Sequence, residues 1–138
     1  MLSSSRFMVA VHALSVIARR ADGGPVCSTI VAESVNTNPV VIRRLMRDLE
    51  RASLVASVTG RAGGFRLGRH AGRITLADIY KAVEDESIFR MHKTDPKHKC
   101  PIGAAVIKVV AEPLRGAEQA LERALAATTL DDIASQIS

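Results

Sequence analysis

Asn36-Thr37-Asn38-Pro39-Val40-Val41-Ile42-Arg43-Arg44-Leu45-Met46-Arg47-Asp48-Leu49-Glu50-Arg51 joins a helix-start signal to a helix with one apolar side and one arginine side. Asn38 offers an N-cap oxygen, and Pro39 suits the first helical position, where a missing N–H costs nothing. Ile42, Leu45, Met46 and Leu49 recur at i, i+3, i+4 and i+7, so they share one side and can pack on a core. Arg43, Arg47 and Arg51 follow a four-residue step on another side, with Arg44 beside them. Guanidinium groups so placed suit phosphates and guanine edges. Taken alone, the segment would read equally well as a solvated basic face on an ordinary amphipathic helix, so its neighbours decide.

Upstream, Ser28 is expected to cap a short helix running to Val35. The turn Asn36-Thr37-Asn38 then leads into the arginine helix, giving the two helices and tight turn of a helix-turn-helix. Downstream, residues 54–59 alternate and are β-prone, Gly60-Arg61-Ala62-Gly63-Gly64 reads as a turn, and Phe65-Arg66-Leu67 as a return strand. An isolated glycine-rich turn would be a plain hairpin. Directly after an arginine helix it reads as a wing. Gly60, Gly63 and Gly64 permit positive φ and close backbone approach, while Arg61 sits at the tip, where it can enter a minor groove.

Residues 5–20 form a first helix with Phe7, Val11, Leu14 and Ala18 on one side, ended by Asp22-Gly23-Gly24-Pro25. A further helix starts at Thr75, with Asp78 three residues on as a capping-box variant and Leu76, Ile79, Tyr80 and Val83 as its apolar side. Residues 93–99 are polar and basic. Pro101 then opens a long helix in which Ile102, Val106, Val109, Val110, Leu114, Ala117, Leu121, Ala124 and Leu125 approximate a three-to-four-residue repeat. A small domain cannot cover so long a face, and dimerisation through it would place two recognition helices on two half-sites. Pro113 is expected to kink this helix or relieve a local strain. Thr129 caps a last short helix over residues 130–137. The fold class is therefore mainly α with a small β-hairpin wing. Residues 1–86 form a winged helix-turn-helix DNA-binding domain, 87–100 a sensory or linker loop, and 101–138 the dimerisation helix and C-terminal helix.

The 138 residues fit one domain with a real core. A net charge of +5 suits a polyanionic partner, and its placement is more telling than its size: Arg43, Arg44, Arg47, Arg51, Arg61, Arg66, Arg69 and Arg73 crowd one third of the chain against Asp48 and Glu50. Aromatic residues are scarce and tryptophan is absent, which disfavours the stacking platforms of single-strand and RNA binders. The apolar run over residues 8–18 is broken by His12 and Ser15 and is too short to span a bilayer, so a cytosolic protein is expected. Cys27 and Cys100 are too few for a disulfide scaffold and should rest as thiols, with Cys27 structural. No phosphate loop, nucleophile elbow or metal-hydrolase spacing is present, and no enzymatic activity is expected.

Ser5-Arg6-Phe7 with His12-Ala13-Leu14, the stretch from Ala32 to Leu45, the wing from Gly60 to Leu67, Ile74-Thr75-Leu76-Ala77-Asp78-Ile79-Tyr80 and Cys100-Pro101-Ile102-Gly103 together resemble the Rrf-two family of bacterial winged helix-turn-helix regulators. The resemblance spans essentially the whole chain. It implies a homodimeric repressor or activator on a palindromic operator, with a sensory loop at about residues 87–100; of the two, a repressor is expected. In such a protein Asn38, Val40, Arg43 and Arg44 would face bases and Thr37 and Arg47 would hold phosphates. Arg61 with Gly63 and Gly64 would work the adjacent minor groove.

Cluster-binding members of that family carry three cysteines in the loop, and only Cys100, the last by position, stands here. His92 and His98 lie near it and make a mixed His/His/Cys metal site conceivable. Lysines in the same loop disfavour a bound cation, so the chain reads as a cluster-free type with no cofactor. A redox role for Cys100 is more attractive, since it precedes a helix N-terminus and has Lys97, His98 and Lys99 alongside, all favouring the thiolate; a packed cap residue is the competing account. The rival from another class is a thiol-redox or metal-binding sensor whose winged helix serves protein contacts. Salt-dependent binding to duplex DNA separates the two.

Overall fold

The computed structural model describes residues 5–84, 89 and 100–137. Six helices and one hairpin follow in the order α1 (Arg6–Arg19), α2 (Ser28–Val35), α3 (Pro39–Arg51), β1 (Val55–Val58), β2 (Gly64–Leu67), α4 (Leu76–Val83), α5 (Pro101–Ala126) and α6 (Leu130–Ser135), with 3-10 turns at Ala21–Gly23 and Ala71–Arg73. This is a mostly helical winged-helix fold.

α1 is more deeply embedded than one apolar stripe suggests. Ala10, Val11, Ala13, Leu14, Ser15 and Ile17 are all buried, so the helix is wrapped on most sides and its buried hydroxyl, Ser15, is satisfied by donating to the Val11 carbonyl at 2.7 Å. Around it gather Val31 of α2, Ile42, Met46 and Leu49 of α3, Leu54, Ile74, and Ile79 and Val83 of α4. Phe7 meets Tyr80 edge-on, with ring centroids 5.8 Å apart.

Two expectations about α2 and the wing change. Cys27, not Ser28, occupies the N-cap of α2, and its side chain makes no capping bond. The reason lies one residue back, where Val26 pairs antiparallel with Phe65: its N–H donates to the Phe65 carbonyl at 2.9 Å, and Phe65 returns a bond to the Val26 carbonyl at 2.8 Å. That bridge holds the chain extended through Cys27, at φ −74 and ψ 155, so the helix starts at Ser28. The wing is thus more than a hairpin. β1 and β2 pair in the register Val55↔Leu67, Ala56↔Arg66, Ser57↔Phe65 and Val58↔Gly64, and Val26 adds a single bridge on the free edge of β2 at Phe65, toward the turn.

Both threonine caps appear as expected. Thr75 and Asp78, and Thr129 and Asp132, each form a reciprocal capping box with bonds of 2.9 and 3.1 Å. The final helix ends at Ser135, two residues early. α6, grouped in sequence with the long helix, packs back against α1: Leu130 is fully buried in the same core, its N–H donates to the Ile74 carbonyl at 2.7 Å, and Thr75 and Thr129 form an antiparallel bridge.

α5 runs unbroken through Pro113, spanning about 39 Å at the usual helical rise. Pro113 cannot donate to the Val109 carbonyl, and Val109 is 71% exposed, so water can replace the missing bond. No residue of α5 is buried, and its apolar residues divide into two sides. Leu114, Leu121 and Leu125 are half-buried on the side that also carries Glu118 and Glu122 and packs on α4, where Lys81 pairs with Glu122 at 3.5 Å. Ile102, Val106 and Val109 stand exposed on the other side, Ile102 at 72%. Among the described residues no helix is long and apolar enough to cross a membrane.

Candidate nucleic-acid interface

The turn into α3 is built by one left-handed residue and two bonds. Asn36 closes α2 in the left-handed conformation at φ 64, the Thr37 N–H donates to the Ala32 carbonyl at 2.9 Å, and the Asn38 Oδ1 accepts from the Val40 N–H at 2.9 Å. Thr37 is half-buried and Asn38 exposed, with its side-chain oxygen already engaged in the cap. Val40 and Val41 follow on the first turn, 42% and 46% exposed. Apolar groups so placed fit a thymine methyl rather than a core.

Ile42, Leu45, Met46 and Leu49 face the core, which turns Arg43, Arg44 and Arg47 outward. No carboxylate pairs with these three arginines, or with Arg61, Arg66 and Arg73, among the described residues. Arg51 and Arg69 differ: Arg51 reaches Asp48 at 3.3 Å and Arg69 reaches Asp78 at 3.0 Å. Of the eight clustered arginines, six therefore keep their guanidinium donors for an external anion.

The two acids of α3 border this arginine face, and each ties it to a neighbour. On one edge the Glu50 carboxylate accepts from the Ser57 N–H of β1 at 3.1 Å, fixing the wing to the recognition helix. On the other, Asp48 pairs with Arg6 at the start of α1 and with Arg51. Sequence periodicity identifies neither role, because Arg6 lies 42 residues from Asp48.

At the wing, Arg61 is exposed on the tip and Gly60 takes φ 100. Gly63 and Gly64 are required for packing. A Cβ at Gly63 would lie 2.2 Å from the Val58 carbonyl oxygen, and one at Gly64 would lie 2.5 Å from the Val26 carbonyl. The Gly63 N–H is already bonded to the Gly60 carbonyl at 3.1 Å. These two glycines shape the wing and leave its tip to Gly60, Arg61 and Ala62.

Cys100 is half-buried at the N-cap of α5 and makes no capping bond with its side chain. His92 and His98, with Lys97 and Lys99, lie outside the described residues. Among the described residues no three His, Cys, Asp or Glu side chains converge as metal ligands. Cys100 is the one cysteine within residues 87–100, fewer thiolates than the four that usually hold an iron–sulfur cluster.

The family profile described as "Rrf2: Iron-dependent Transcriptional regulator" matches residues 3–136. YwnA of Bacillus subtilis (strain 168), named as an HTH-type transcriptional regulator, is 35% identical over 135 residues, covering 97% of this chain and 98% of YwnA. The HTH-type transcriptional regulator IscR of Xenorhabdus nematophila is 36% identical over 85 residues, 62% of this chain and 51% of IscR. A crystal structure described as that of a DNA-binding protein superposes with a TM-score of 0.75 at 34% identity, covering 94% of this chain and 98% of its own. Arginine helix, wing, long helix and sequence agree: the chain belongs to the Rrf2 family of DNA-binding transcriptional regulators.

Proposed function

We propose that the chain acts in the cytosol as a homodimeric repressor on a palindromic operator. The observation that carries this reading is α5, a 26-residue helix with no buried residue and an exposed apolar side at Ile102, Val106 and Val109. A second copy laid along that side removes the apolar surface from water and relates two α3 helices by a two-fold axis. Val40, Arg43, Arg44 and the remaining amide of Asn38 then read base edges, while Thr37 and Arg47 hold phosphates. Arg61 enters the neighbouring minor groove from a tip that Gly63 and Gly64 shape.

The division of labour follows: residues 1–86 bind DNA, 101–138 provide the dimer helix, and 87–100 connect them and carry the signal. Cys100 is the thiol placed to sense an oxidant, because it caps the first turn of the dimer helix and its side chain is not committed to that cap. One cysteine falls short of the thiolates an iron–sulfur cluster usually takes, so no step is routed through one.

Enrichment of this protein's targets from a random-sequence duplex pool tests the reading. An inverted repeat whose half-sites lie about one helical turn apart is the expected product. Arg43→Ala or Arg44→Ala should each cost about 1–3 kcal/mol on that duplex, relaxing preference at one position. A lack of salt-dependent duplex binding, or recovery of asymmetric sites only, overturns it.

A further inference from the structure

Beside the arginine face, between the start of α1 and the flank of α3, runs a groove of about 430 Å³ lined by Ser5, Arg6, Arg44, Arg47, Asp48 and Arg51, with Val9, Val41 and Leu45 as its apolar lining. Four guanidinium groups and one carboxylate give it a net charge of about +3. Asp48, its side chain 25% exposed, sits among them and grips Arg6 from α1 and Arg51 from its own helix. A carboxylate on a surface that must approach phosphates is repelled by them, so its presence needs a compensating role. Its pairings supply one: two long, entropically expensive side chains are held at the groove's edges before any anion arrives.

We propose that this groove seats the phosphodiester backbone of the strand flanking the recognition helix. Arg6 and Arg47 donate to its oxygens from either wall, and Asp48 is the positioning residue that holds Arg6 and Arg51 ready. Arginine suits this bridging task, since five donors allow one guanidinium to bind the carboxylate and a phosphate together. The proposal rests on the DNA-binding reading and extends it to α1, which contributes no residue to the helix-turn-helix itself. The seat carries no base information. It fixes the angle at which α3 enters the major groove, and its effect is common to all duplexes.

The test uses the full chain and a labelled 30-base-pair duplex of mixed sequence, with affinity measured by anisotropy across a chloride series. Arg6→Gln should weaken binding about fivefold at physiological salt and make the log–log salt slope shallower by about 0.9, the signature of one lost phosphate contact. Arg20→Gln, the same charge change away from the groove, should leave the slope unaltered. Asp48→Asn adds positive charge yet should bind severalfold more weakly, because the arginines lose their anchor. Melting curves of each variant confirm that the fold is intact. Inorganic phosphate, added at ionic strength matched with chloride, should compete no better than chloride. Phosphate competition that Arg6→Gln abolishes would reassign the groove to a free anion and overturn the proposal. An unchanged slope for Arg6→Gln, or tighter binding by Asp48→Asn, overturns it while leaving the DNA-binding reading intact, whereas absence of duplex binding by the wild type sinks both.

Discussion

A methyl group placed on Gly64 would sit 2.5 Å from the carbonyl carbon and oxygen of Val26 and 2.8 Å from the Cys27 nitrogen, all backbone atoms that cannot swing aside. Relief requires β2 to separate from the segment before α2, and the two bonds across that bridge, at 2.8 and 2.9 Å, are the ones lost. Their net worth is about 1 kcal/mol each. Gly64 also takes φ +152, in a region closed to side chains at a cost of about 1–3 kcal/mol. Gly64→Ala should therefore destabilise the fold by about 3–4 kcal/mol and lower the melting temperature by roughly 10 °C, measured at one protein concentration. Gly60→Ala is the control. Its Cβ meets nothing within 4 Å and its φ of +100 alone is strained, so about 1 kcal/mol is expected. If urea unfolding finds Gly64→Ala no worse than Gly60→Ala, the bridge between Val26 and β2 does not bear on stability.

Val109→Glu on the exposed side of α5 should turn a sedimenting dimer into a monomer and, through lost avidity, weaken operator binding by about 100-fold; a stable wild-type monomer would refute the dimer helix. Leu130→Ala should cost about 2–5 kcal/mol in urea unfolding, since the side chain is fully buried in the core, and a loss below 1 kcal/mol would mean that α6 is peripheral. Burial, followed by the carboxylates of Glu84, Glu118 and Glu122, pushes the phenol of Tyr80 up from its ordinary value near 10. Absorbance titration of this lone tyrosine, undisturbed by tryptophan, should find its midpoint above the free value. Because the fold favours the neutral phenol, stability should hold below pH 10 and fall as pH rises beyond the unfolded-state value. Cys100→Ser should bind operator as the reduced wild type does and lose any response to peroxide; a wild-type affinity unaffected by oxidant would make Cys100 a packing residue.

What the sequence makes legible is local. The Asn38-Pro39 start, the repeat of Ile42, Leu45, Met46 and Leu49, the Thr75 capping box and the Thr129 cap each lie within a few turns of chain, and each appears as read. What escapes is carried by pairs far apart. Val26 with Phe65, Arg6 with Asp48, and Leu130 with Ile74 obey no spacing rule, and the first of these displaces the α2 cap from Ser28 to Cys27. Periodicity finds the apolar residues of α5 but merges two sides. Only the packing of α4 separates Leu114, Leu121 and Leu125, which face the chain's own domain, from Ile102, Val106 and Val109. Glycines read as a route to the minor groove also have steric reasons within the fold, which no pattern of glycines reveals.

The return of α6 to the core has a consequence for how this molecule is born. Leu130 fills the centre that α1, α3 and α4 surround, yet it follows them by the whole length of α5. On the ribosome, the arginine helix and its wing emerge early but lack the side chain that completes their packing, and a chain halted at any point along α5 carries an unfinished core. The packing around α3 and the wing is therefore completed only after the whole of α5 has been made.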